Sequence, residues 1–127
     1  VYFMELAAGA DGRSQVLLRN RDGSFGATVE ADVRQLPCFT LWKNTAAVED
    51  GYVTGLEPGT NFPNVRSFES QQGRVVKLGP GETRAFEIAI GLHGDAASVQ
   101  TATERVAQLQ QGIMPAISRE PQGDWCA

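Results

Sequence analysis

A chain of 127 residues, 42% of them hydrophobic, is long enough for one domain with a buried core. Its 11 basic and 15 acidic residues give a net charge of −4, which lacks the Lys/Arg footprint that nucleic-acid binding requires. No apolar run approaches the roughly 18 residues of a membrane-spanning helix, so neither nucleic acid nor membrane is an expected partner.

The chain opens on Val1-Tyr2-Phe3-Met4-Glu5-Leu6, which reads as the middle of a strand and has no initiator methionine before it. This beginning is expected of a piece of a longer protein. It carries no signal-peptide pattern, and a cytoplasmic location is expected. Residues 2–8 start a β-meander. Asp11-Gly12 supplies the chemistry of a tight turn, residues 14–19 return, and Asn20-Arg21-Asp22-Gly23 turns again. Phe25, Ala27, Val29, Ala31 and Val33 then alternate with smaller or polar neighbours, the period of a half-buried strand.

Cys38-Phe39-Thr40-Leu41-Trp42-Lys43 is apolar on both parities and is expected to run through the interior. A polar loop over 44–51 leads into a strand over 52–56 that ends at Glu57. From there to about residue 68 the composition predicts an irregular loop. Residues 73–78 resume the sheet, and Gly79-Pro80-Gly81 turns it. The next strand places Phe86, Ile88, Ile90 and Leu92 on one face. The period then changes: Asp95 caps a helix whose stripe is Val99, Ala102, Val106, Leu109 and Ile113, with Gly112 as its stop. These elements predict an all-β fold, an antiparallel β-sandwich of about seven strands with one C-terminal helix. Residues 1–113 form that domain, and 114–127 form an irregular tail.

Two cysteines, Cys38 and Cys126, are too few for a disulfide framework, and Cys38 reads as a small buried hydrophobe. One histidine and no paired Cys/His spacing predict no metal site, and no motif calls for a cofactor.

The stretch Gly55-Leu-Glu-Pro-Gly-Thr-Asn-Phe-Pro-Asn-Val-Arg66 holds the densest candidate chemistry. Glu57, at a strand end, has the chemistry of a general base toward a hydroxyl; equally, such a Glu organises a turn by accepting loop N–H bonds. Thr60, Asn61, Asn64 and Arg66 offer hydroxyl, amide and guanidinium groups to a polyhydroxylated ligand. The same residue types also favour loops for their own sake. Trp42 and Lys43 offer a stacking ring and a cation, or a core tryptophan beside a solvated lysine. His93 serves a turn and is not expected to be a catalytic acid.

Three segments, Leu36-Pro-Cys-Phe-Thr-Leu-Trp-Lys-Asn44, Gly51 through Asn64, and Gln72-Gly-Arg-Val-Val-Lys-Leu-Gly-Pro-Gly-Glu82, resemble the galactose mutarotase-like superfamily. The match is to a branch of aldose 1-epimerase-like proteins, over about residues 1–110. Gly-Leu-Glu-Pro-x-Thr-Asn-x-Pro-Asn is its specific part. The resemblance implies the C-terminal part of a supersandwich of antiparallel sheets with a sugar in a concave cleft. It implies that Glu57 is the base that takes the proton from the anomeric hydroxyl. The acid, a His in the family, belongs to a segment before this one, so this chain alone is expected to be inactive. The expected function is therefore a carbohydrate-binding domain of a mutarotase-like protein; a non-catalytic carbohydrate-binding module and a purely structural β-sandwich are the alternatives. Self-association through open sheet edges is also expected.

Overall fold

The computed structural model describes residues 1–126. Six strands lie in two antiparallel three-stranded sheets: β1 (Tyr2–Met4), β2 (Arg13–Arg19), β3 (Gly26–Asp32), β4 (Cys38–Lys43), β5 (Thr54–Gly59) and β6 (Ile88–His93). The helices are a six-residue α1 (Arg66–Gln71) and the longer α2 (Ala96–Leu109). The fold class is the one read from the sequence, an antiparallel β-sandwich type with a helix near its C-terminus. The chain divides into two compact units. One comprises Val1–Leu6, Leu36–Ala85 and the segment from Ile117 onward; the other comprises Ala7–Gln35 and Phe86–Ala116.

The first unit is built on the order β1-β4-β5. The doubly apolar β4 takes the centre because it alone has a neighbour on each side, and Cys38, Phe39 and Thr40 are buried there. Phe62, only 1% exposed, stacks on Phe3 with ring centroids 4.7 Å apart and meets Trp125 at 5.1 Å.

In the second unit the order is β2-β3-β6. The hairpin between β2 and β3 turns where expected. Gly23 has φ 74°, and Asn20 Oδ1 accepts from the Phe25 N–H. Asp95 caps α2 by accepting from Ser98 N–H at 2.8 Å, and Val99 and Ala102 bury the predicted stripe. Gln15 of β2 donates to the Ala102 carbonyl at 3.5 Å, and α2 covers the sheet face on which Gln15 lies.

Several expectations change. The opening meander is split: β1 pairs with β4, while β2 pairs with β3, so the Asp11-Gly12 turn leads from one sheet to the other. Residues 73–78 form no ladder. Arg74 of that segment is drawn instead to Glu69, and its backbone N–H bonds the Glu69 carbonyl at 2.9 Å. The loop after Glu57 is less irregular than its composition suggested. β5 continues to Gly59, and α1 forms within the segment. The tail to Cys126 is held at its far end by Trp125, and its last residue, Ala127, lies outside the described residues. Ile88, Ile90 and Leu92 do share one face of β6, and they are 48%, 74% and 84% exposed.

Candidate functional site

Glu57 is not at the end of a strand but within β5, opposite Thr40 of β4, and it is exposed. The register sets its surroundings. Directly opposed residues of an antiparallel pair share a face, as do residues two apart along a strand. Trp42 lies opposite Gly55, and Thr40 opposite both Glu57 and Phe3. Phe3, Thr40, Trp42, Gly55 and Glu57 therefore occupy one face of this sheet. A Cβ at Gly55 would collide with the Glu57 carboxylate, so the side chain folds back over the space that the glycine leaves. Trp42 stands 39% exposed on the same face.

Lys43 is on the other face. Its Nζ sits 5.4 Å from the centre of the Tyr2 ring, and it pairs across the ladder with Thr54. The adjacency of Trp42 and Lys43 in sequence thus separates them in space, because a strand turns successive side chains to opposite faces.

The remaining candidates gather after β5. Thr60, Asn61, Asn64 and Arg66 line an open hollow of about 240 Å³ together with Glu69, Val75 and Val76; Glu57, Trp42 and Lys43 are not among its lining residues. Most of the loop's side-chain groups are engaged with each other. Thr60 Oγ1 donates to Asn61 Oδ1 at 3.2 Å, and Asn61 Nδ2 donates to the Phe62 carbonyl at 2.7 Å. Asn64 Nδ2 donates to Glu69 Oε1 at 2.7 Å and to the Trp125 carbonyl at 2.8 Å. Arg66 makes no side-chain hydrogen bond or ion pair among the described residues.

Glu69 organises this loop and was not singled out in the sequence. Its carboxylate is 1% exposed. It accepts from Arg74 Nε at 2.6 Å, Arg74 Nη2 at 2.8 Å, Asn64 Nδ2, and the Phe62 N–H at 3.3 Å. The fork geometry of the guanidinium matches both carboxylate oxygens. The Arg74 guanidinium holds the Glu69 carboxyl below the usual carboxylate range, against the opposing pull of burial, and the Asn64 bond adds to it. Arg74 also stacks near Phe62 and Phe68 and donates to the Asp124 carbonyl at 2.8 Å. Nearby, burial pushes the Cys38 thiol up, with Arg74 opposing it. The one sequence signal for this cluster was Trp125, an aromatic residue in a tail with no periodic pattern.

His93 is in the second unit, where its Nε2 lies 3.2 Å from Thr28 Oγ1. Among the described residues no group of three or more His, Cys, Asp or Glu is placed to hold a metal ion. No helix there is long and apolar enough to cross a membrane.

A family model described as a domain of unknown function, DUF4432, matches residues 1–92. No curated protein matches the chain. A crystal structure from Klebsiella pneumoniae, titled a putative aldose 1-epimerase, is similar in fold over 87% of this chain, with a TM-score of 0.81 and 36% sequence identity. The chain spans 29% of that protein's length. The similarity bears out the mutarotase-like resemblance carried by the sequence.

Proposed function

The chain belongs to the DUF4432 family, and from that membership and the arrangement on β4 and β5 we propose that it is a carbohydrate-binding part of an aldose 1-epimerase-like protein, with Glu57 as the general base. The observation that carries this reading is the exposed Glu57 carboxylate folded over Gly55 on the sheet face that also presents Trp42. An aromatic face binds the C–H surface of a pyranose, and a carboxylate beside it accepts the anomeric proton. That proton leaves O1, the ring C1–O5 bond breaks, and an acid protonates the ring oxygen. Rotation about C1–C2 and closure on the other face give the second anomer, which returns the protons. The acid, a His in the family that the sequence resembles, is taken to come from outside this chain.

Two measurements test this. The chain by itself should leave anomer exchange, followed by NMR or polarimetry, at its spontaneous rate. In a longer chain carrying this sequence, Glu57→Gln should lower the exchange rate by about 100-fold or more while aldose binding persists. An unchanged rate removes the base. If sugar binds but no such rate exists to be lost, the non-catalytic binding module is the better reading.

A further inference from the structure

The hollow beside β5 differs from the Trp42–Glu57 face in the ligand chemistry it can satisfy. Its side-chain donors are almost all engaged within the protein: the Thr60 hydroxyl with Asn61, the Asn61 amide with Phe62, and both amide hydrogens of Asn64 with Glu69 and Trp125. The one carboxylate in its wall, Glu69, is neutralised by the two-pronged contact with Arg74. Val75 and Val76 bring no side-chain polarity. What remains is Arg66, a cation with no side-chain bond or ion pair among the described residues, in a wall of otherwise balanced charge. A neutral hydroxyl asks for a donor and an acceptor together. A group that only accepts and carries negative charge suits a lone guanidinium far better.

We infer that this hollow selects an acidic sugar, an aldose bearing a carboxylate or phosphate that Arg66 binds. This rests on the sugar-binding reading and adds the class of sugar. The chain's overall charge of −4 offers anions no general attraction, so the selecting falls to the local guanidinium.

Isothermal titration of the 127-residue chain with galactose, galacturonate, galactose 6-phosphate and inorganic phosphate tests it. An acidic sugar should bind roughly 10-fold or more tighter than galactose. The preference should shrink as ionic strength rises from about 0.01 M to about 0.1 M, which shortens the Debye length from about 30 to about 10 Å. Arg66→Gln should erase the preference, and Arg66→Lys should restore part of it. The uronate and the phosphate ester distinguish the two anionic groups. Equal binding of galactose and both acidic sugars, or a preference that survives Arg66→Gln, overturns this inference and leaves the sugar-binding reading intact. Inorganic phosphate binding as tightly as galactose 6-phosphate reduces the hollow to an anion site and overturns it too. If none of the three sugars binds, both readings fall.

Discussion

At the scale of single residues, the two carboxylates near β5 do opposite work. Glu57 is exposed over a glycine, whereas Glu69 is 1% exposed and receives four side-chain or backbone contacts. Removing one partner of a buried ion pair strands the other charge, so Glu69→Ala should cost about 3–5 kcal/mol in a urea melt. Phe62→Ala should cost a similar amount, about 3–5 kcal/mol, because the ring is enclosed between Phe3 and Trp125. Gly55→Ala makes a different prediction. The added methyl displaces only the far end of a flexible side chain, so stability should change by no more than about 1 kcal/mol. The Glu57 carboxylate must nevertheless move, and its NMR signals and its contribution to any sugar response should change. Gly55→Ala with unchanged Glu57 resonances would contradict the geometry.

Asp32 carries a pH prediction. The Arg34 side-chain and backbone N–H groups hold its carboxyl down at about 2. A carboxyl depressed in the folded state stabilises the protein above its unfolded value. That contribution is lost as the pH falls from about 4 toward 2. Glu69, shifted the same way, adds to the loss. Stability should therefore be flat through neutral pH and drop in strong acid, and the drop should be shallower in Asp32→Asn.

Among the elements, α2 was the most legible. Its 3.6-residue stripe and the Asp95 cap both sit in the local sequence, and Asp95→Ala should lower stability by about 1 kcal/mol. The β2–β3 hairpin was equally readable, because Asp-Gly turn chemistry and a period of two are also local. β5 was ended too early and α1 was not foreseen. Pro58 and Gly59 look like a loop in sequence, yet Phe39 and Cys38 of β4 pair with them and extend the strand. The strand expected over 73–78 failed because Arg74 has a stronger partner in Glu69 than a ladder would give it. Of the candidate site, Thr60, Asn61, Asn64 and Arg66 do converge on one hollow, since they are neighbours along one loop. Lys43 does not share a face with Trp42, because strand alternation separates neighbours.

On the scale of the whole molecule, the apolar residues of β6 matter most. Leu18, Ile88, Ile90 and Leu92 share the face of the β2-β3-β6 sheet opposite the one that α2 covers, and all four are exposed. An uncovered apolar face beside an edge strand recruits partners, so the chain is expected to self-associate. Sedimentation should show oligomers that grow with concentration, and Ile90→Lys with Leu92→Lys should shift the chain toward monomer. A clean monomer at all concentrations would count against this.

By itself the sequence determined the all-β class, the tight turns, the capped helix and the segment that carries the candidate chemistry, because each is written in residues close together along the chain. Only the tertiary structure decided that Glu69 rather than a surface charge anchors the loop, that Trp125 returns to clamp it, and that Glu57 is not among the residues lining the hollow. Those outcomes depend on partners from 5 to 61 residues apart, and no local pattern records which distant side chains a carboxylate or an amide will meet.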